Sequence, residues 1–299
     1  CYGGTQRLLP ALAPKAHFDV VFADLTSLSA PALIGERRPR LVWVETPSNP
    51  LLRITDVRRV ADAAHRAGSL VVVDNTFLSP ALQRPIALGA DIVVHSTTKY
   101  LNGHSDVVGG AVVARTKELH EQLLWWANCI GVTGAPFDSY LTLRGLRTLH
   151  ARLEHHGRNA SGLAEWLVKQ PGVRRVYYPG LAIHPGHEIA RRQQRGYGAI
   201  VTLELEGGHE AVKAFCSDLT CFSLAESLGG FESLVAHPAS MTHAAMDPAA
   251  RLKAGLVDGL IRLSVGIESL EDLRADLAAG LVRAARARPQ RLEALAAAG

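Results

Sequence analysis

Between positions 41 and 114 the chain alternates short unbroken apolar runs with an amphipathic stretch. "LVWVE" (41–45), "LVVVD" (70–74), "DIVVHS" (91–96) and "GGAVVA" (109–114) lack the polar alternation of half-exposed strands and predict strands covered on both faces. "DVRRVADAAHRAG" (56–68) has helical spacing, with Asp56 as first-turn acid and Gly68 as stop. Strands separated by helices predict a parallel sheet of the α/β class, whose ligands bind beyond the carboxyl ends of the strands. Asp74 and the 96–99 segment stand at two such ends.

A mostly helical stretch, about 137–170, is expected to break at Gly145, Gly157 and Gly162 and to lead into a second half with a different pattern. There the runs 173–178, 199–206, 222–227 and 260–268 predict strands, and 209–219, 248–255 and 269–287 predict helices. The expected division is a large domain over 1–157 and a smaller α+β domain over 158–299. The Ala-rich tail is expected to be a frayed helix, and no internal repeat is visible.

Composition narrows the class. With 299 residues, 47% hydrophobic and 20% charged, the chain has the balance of a globular enzyme. The formal net charge of +4 and pI near 9.0 arise from scattered Lys and Arg. Runs such as "RLEHHGR" and "IARRQQR" read as solvated helix faces rather than a nucleic-acid footprint, which leaves a mild preference for anionic small molecules. Cys1, Cys129, Cys216 and Cys221 form no CxxC pair, so reduced thiols and a cytoplasmic location are expected. No apolar stretch approaches a membrane span, and no signal peptide is visible. His95, His104, His155 and His156 lack ligand spacing, so no metal is expected. A dinucleotide fingerprint is absent.

The chemistry concentrates in "VVHSTTKYLNGHSDVVGG" (93–110), where one lysine, Lys99, follows an apolar strand among hydroxyls and has no carboxylate beside it. Lysine forms Schiff bases, and burial lowers its pKa enough to make it a nucleophile or base. Ser96, Thr97 and Thr98 could hold phosphate oxygens, and Asp74 could pair with a protonated ring nitrogen. Together these describe a pyridoxal 5′-phosphate site. On the residues alone, Lys99 reads equally well as a surface lysine, and Asp74, in "DNT", as a turn residue.

The stretch "VVVDNTFLSPALQRPIALGADIVVHSTTKYLNGHSDVVGG" resembles the cofactor region of the Cys/Met-metabolism family of pyridoxal-phosphate enzymes. Likeness continues through "CYGGTQRL", "ETPSNPLLRI", "RGLRTL", "GHEIA", "SLAESLGGFESLVAHPASMTHA" and "LIRLSVGIE", over nearly the whole chain. The resemblance implies an α/β, aspartate-aminotransferase-like (fold type I) structure, with a mostly parallel sheet domain and a smaller α+β domain. It also implies a homotetramer of active-site dimers. By the same resemblance, Lys99 would bind the cofactor aldehyde and shuttle protons, and Asp74 would pair with the ring nitrogen. Ser96 and Thr98 would contact the phosphate, and Tyr2 would stack on the ring, a packing of two flat π systems that adds to burial. Asn49 would lie near the phenolic oxygen. Arg262 would grip the substrate α-carboxylate, which a bidentate fork suits. Ser227 and Glu226 would line the same pocket, Glu226 as a specificity residue.

"LLWWANCIGVTGAPFDSYLTLRGLRTL" and "AESLGGFESLVAHPASMTHA" are most similar to the γ-replacing branch of the family. The expected reaction joins an O-acylhomoserine, with O-succinylhomoserine the expected donor, to cysteine and yields cystathionine. The alternative is cleavage of cystathionine to cysteine, 2-oxobutanoate and ammonia. A reading from another class, a non-catalytic oligomerisation scaffold, has no chemical need for Lys99, Asp74 and Arg262 together. Relatives carry a segment ahead of "CYGG" with a phosphate-binding Gly turn and a Tyr and Arg that reach the neighbouring subunit. These residues are therefore expected to be a portion of a longer enzyme.

Overall fold

The computed structural model describes residues 2–16, 18–241, 246 and 248–287. The expected frayed tail lies largely outside the described residues, as does part of the 223–244 motif.

Strands β1 (Leu41–Glu45), β2 (Leu70–Asp74), β3 (Ile92–Ser96) and β4 (Gly110–Ala114) form one sheet in that order. Strands β5 (Val173–Tyr177), β6 (Ile200–Leu205), β7 (Phe222–Leu224), β8 (Ser233–Ala236) and β9 (Leu260–Ser264) form a second, ordered β5-β6-β9-β8-β7. The helices are α1 (Gly3–Ala16), α2 (Ala30–Arg37), α3 (Val57–Arg66), α4 (Ser79–Leu82), α5 (Lys117–Ile130), α6 (Pro136–Arg147), α7 (Leu149–Leu167), α8 (His187–Gln193), α9 (Gly208–Cys216), α10 (Pro248–Ala254) and α11 (Leu270–Arg286). No helix among the described residues is long and apolar enough to cross a membrane.

The first sheet follows from its residues. α3 starts at Asp56, whose carboxylate accepts from the Arg59 amide at 3.0 Å, and it buries Val57, Val60, Ala61 and Ala64 against Val44, Val71 and Val73. This crossover makes β1 and β2 parallel, in the register Glu45 beside Asp74. Two carboxylates therefore finish adjacent strands on the same edge of the sheet.

Three expectations are corrected. β4 was expected to continue the parallel, doubly covered sheet, but it runs antiparallel to β3, with Val112 55% and Val113 49% exposed. The connection at 97–109 contains a single wide turn and no crossover helix, and a parallel return needs one. Gly145, Gly157 and Gly162 do not break their helices, because α6 runs through the first and α7 through the other two, and the two helices meet at Thr148 instead. A Cβ at Gly162 would meet Leu270 at 2.8 Å, so that glycine admits α11 rather than ending α7. Finally, the 222–227 and 260–268 runs end as strands at Leu224 and Ser264, and "SLVA" at 233–236 is a strand that the pattern reading missed. In the second sheet α7, α9 and α11 pack Leu153, Leu163, Phe215 and Leu277 onto Leu203 and Ile261.

A buried amide network ties the halves together. Asn75 donates to the Gln83 carbonyl at 2.9 Å, and Gln83 donates back to the Asn75 side chain at 3.0 Å. Gln83 Oε1 accepts from Gln193 and Gln194, both at 3.3 Å. Asn75 follows Asp74 directly, so the strand end is held from the C-terminal half.

Candidate active site

β3 leads into one wide π-type turn, Thr97–Leu101, and Lys99 is the residue in it that leaves helical dihedrals, with φ −90° and ψ −135°. Such turns recur at functional sites because they redirect a single side chain. From this kink Lys99 Nζ donates to Ser227 Oγ at 2.8 Å. Burial, and then the nearby positive charge of Arg262, hold the Lys99 amine below the ordinary lysine range.

Ser227 also faces Arg262 through its backbone. Arg262 Nη2 donates to the carbonyls of Ser227 (2.8 Å) and Glu226 (2.7 Å), and Nη1 donates to Asn49 Oδ1 at 3.2 Å. The guanidinium is 1% exposed, its Nε has no partner, and it makes no ion pair among the described residues. Burial lowers its pKa to about 10, so it stays charged at neutral pH. A buried cation that is held by neutral oxygens, keeps an unpartnered Nε and lies beside Lys99 through Ser227 is suited to a carboxylate, since a buried charge is costly until it is paired.

Asp74, half-buried at the end of β2, accepts from the Thr76 amide at 3.0 Å, and Thr76 Oγ1 accepts from the Ser96 amide at 2.9 Å. Burial raises the Asp74 pKa. Its neighbour Glu45 is raised as well, by burial and, among smaller causes, by the like charge of Asp74. Glu45 accepts from the backbone amides of Tyr2 and of Asn49, the latter at 2.9 Å. Tyr2, itself 61% exposed, and Asn49 are thus tied to the edge that carries Asp74. Thr98 Oγ1 accepts from the Gly109 amide at 3.0 Å, folding the glycine loop over the turn. A Cβ on Gly109 would lie 2.7 Å from Thr97 Oγ1, so the loop must be bare there.

The structure therefore gathers Lys99, Ser227, Arg262 and Asn49 through direct hydrogen bonds, and Asp74 and Ser96 through Thr76. Glu226 joins by its carbonyl only, and its side chain is exposed. The sequence reading passed over two contributors. Glu45 was visible as the carboxylate closing "LVWVE", and Thr76 as the last residue of the "DNT" turn. Their importance comes from strand register, which the sequence does not display.

These groups fit pyridoxal phosphate: an amine with a lowered pKa for its aldehyde, a half-buried carboxylate for its ring nitrogen, and hydroxyls beside a bare glycine loop for its phosphate. The fit and the comparisons with known proteins point the same way. A family model described as Cys/Met metabolism PLP-dependent enzyme matches residues 1–282. The cystathionine γ-synthase of Escherichia coli (strain K12) is 53% identical over 280 residues, which are 94% of this chain and 72% of that protein. A cystathionine γ-lyase of Dictyostelium discoideum is 48% identical over 280 residues, 94% of this chain and 72% of that one. A crystal structure of cystathionine γ-synthase from Xanthomonas oryzae pv. oryzae, in complex with aminoacrylate and cysteine, superposes with a TM-score of 0.94 at 63% identity. The match covers 96% of this chain and 74% of that one.

Proposed function

The chain belongs to the Cys/Met metabolism PLP-dependent enzymes, and within that family we propose that it catalyses γ-replacement, joining an O-acylhomoserine to cysteine to give cystathionine. The fold is the family's α/β fold type I, and the cofactor is pyridoxal phosphate. O-Succinylhomoserine is the donor we propose. The observation that carries the reading is the double role of Ser227. Its hydroxyl takes the Lys99 amine and its carbonyl takes the Arg262 guanidinium. A substrate held by its α-carboxylate on Arg262 then presents its α-carbon to Lys99.

Pyridoxal phosphate, once bound, supplies an electron sink for negative charge at the substrate α-carbon. In our reading Asp74 holds the ring nitrogen, Ser96 and Thr98 the phosphate, and the Tyr2 ring packs on the cofactor plane. Asn49 fixes the Arg262 fork by its Oδ1, so the α-carboxylate binds in one orientation. Lys99 Nζ, aimed by Ser227, takes the proton from the α-carbon as general base, and the lowering of its pKa by burial and Arg262 favours the neutral amine that this task needs. A proton then leaves the β-carbon, the Cγ–O bond breaks so that the acyloxy group departs as a free carboxylate, the cysteine thiolate bonds to the γ-carbon, and protons return to the β-carbon and, from Lys99, to the α-carbon. Glu226 stands at the pocket as the proposed specificity residue.

The lyase reading keeps support from the Dictyostelium match over the same length. Rates separate the two: succinate release from O-succinylhomoserine plus cysteine is expected to exceed 2-oxobutanoate release from cystathionine by at least about tenfold. The opposite ratio would replace the synthase by the lyase. We further propose a homotetramer of active-site dimers, a cytoplasmic location and the division 1–157 and 158–299. The assembly is supported by α5, which buries none of its residues and exposes Trp125, Trp126 and Ile130.

A further inference from the structure

"RGLRTL" (144–149) has no task in the proposed function, and just beyond it lies a buried arginine. Arg152, on α7, is 7% exposed. Its Nη1 donates to the Tyr100 carbonyl at 3.0 Å, its Nη2 to the Gly145 carbonyl at 2.8 Å, and its Nε to Thr148 Oγ1 at 3.1 Å. Thr148 Oγ1 in turn donates to the Gly145 carbonyl at 3.2 Å. The guanidinium makes no ion pair among the described residues. Its charge is spread over two carbonyls and a hydroxyl, one carbonyl being at the C-terminal turn of α6, where a cation is favourable.

The surroundings are shaped for this fork. Gly103, at φ +72°, would drive a Cβ to within 1.9 Å of Arg152 Nη1, and a Cβ at Gly145 would lie 2.2 Å from the Asn102 carbonyl oxygen. Both glycines are bare where the guanidinium and the turn after Lys99 press together. The same turn is closed by Gly103 N–H to the Lys99 carbonyl (2.7 Å) and Asn102 N–H to the Thr97 carbonyl (3.0 Å). One helical turn further along α7, His156 meets the Tyr100 ring edge-on, with centroids 5.6 Å apart. α7 therefore grips Tyr100 twice, by its carbonyl and by its ring. Tyr100 is the residue next to Lys99.

We propose that Arg152 is a positioning residue for Lys99: its planar fork joins the Tyr100 and Gly145 carbonyls and sets the kinked turn that aims Lys99 Nζ at Ser227. This rests on Lys99 being the residue that binds the cofactor aldehyde. Lysine at 152 keeps the charge but cannot span both carbonyls in a fixed plane. Arg152→Lys tests the fork, and Thr148→Val, which removes the Nε acceptor and the hydroxyl's own bond to the Gly145 carbonyl but leaves both carbonyl contacts of the guanidinium, tests the same device gently should the first variant fold poorly.

Each protein is purified with pyridoxal phosphate and measured in two ways, neither of which is turnover. The first is the pH midpoint of the cofactor's visible absorbance, which reports the environment of the Lys99 nitrogen. The second is amide hydrogen exchange. In Arg152→Lys the midpoint is expected to move by about half a pH unit or more. Exchange at 99–103 should rise about tenfold while peptides from β6 and β9 keep wild-type rates. Thr148→Val should move both in the same direction by less. Unchanged midpoints with wild-type exchange at 99–103 would overturn the proposal. So would exchange that rises equally everywhere, because that is general loosening without a role for Lys99. A wild-type protein that binds no pyridoxal phosphate would instead overturn the functional reading, and the two failures are distinct.

Discussion

Arg262 and Lys99 repel one another across Ser227, and the arrangement is stable only because Arg262 is bonded to three oxygens and Lys99 to one. That tension has measurable consequences. In cofactor-free protein the rate of pyridoxal phosphate capture should rise with pH as the Lys99 amine loses its proton, with a midpoint below the ordinary lysine range. Arg262→Gln removes the neighbouring positive charge, which favours the protonated amine and moves the midpoint up. Ser227→Ala removes the acceptor of the amine's hydrogen bond, which disfavours the charged form and moves it down. Stopped-flow absorbance over a pH series checks both signs. In steady state, Arg262→Lys should lose about 10²-fold in kcat/KM, mostly as a higher KM, because a point charge replaces a bidentate fork. Asp74 closes an apolar strand and Lys99 follows one, but on the residues alone each also read as a turn or surface residue, and the family resemblance singled them out. Glu45 and Thr76 were not legible, since each acts across a strand pairing that only register reveals.

Among the elements, the pattern reading succeeded where apolar runs were long and separated by clear stops, as at β1, β2 and α3. It failed at β4, whose apolar residues look inward-facing yet stand exposed at a sheet edge, and at β8, a four-residue strand too short to carry a period. An anchor between elements shows what pattern cannot display. Asp276, on α11 and 6% exposed, accepts from the amides of Thr220 (2.8 Å), Cys221 (2.8 Å) and Phe222 (3.0 Å). It thereby holds the start of β7 and, through it, the segment that leads to Ser227. Asp276→Ala leaves three amides without their acceptor and should cost about 3 kcal/mol, read from urea unfolding.

For the molecule as a whole, buried histidines weigh on stability in mild acid: burial lowers His237 and, further, three others. His95, His156 and His184 are each lowered to about 4, chiefly by burial, and are neutral in the fold. In the unfolded chain they protonate near the ordinary histidine value of about 6.5. Their contribution is thus complete above about pH 6.5 and is lost as the pH falls toward 4, at about 2 kcal/mol per histidine by pH 5. The melting temperature should drop over that window, and His156→Gln should flatten the slope. Assembly is the other property at this scale. Trp126→Glu, on the unburied face of α5, should yield a smaller species by light scattering if that face joins subunits, whereas an unchanged mass would remove α5 from the interface. Two sheets were foreseeable from the two pattern regimes. The link between them through Gln83 was not, because nothing in a sequence marks which amides will be buried together.

The central claim is that Lys99, aimed by Ser227 and faced by Arg262, is where the cofactor is attached and the chemistry occurs. The most direct test is borohydride reduction of the pyridoxal-phosphate-bound protein followed by peptide mapping with mass spectrometry. The account predicts one pyridoxyl-phosphate group per chain, on Lys99, and none in a Lys99→Ala protein. A label on another lysine, or an equal label after Lys99→Ala, would contradict it.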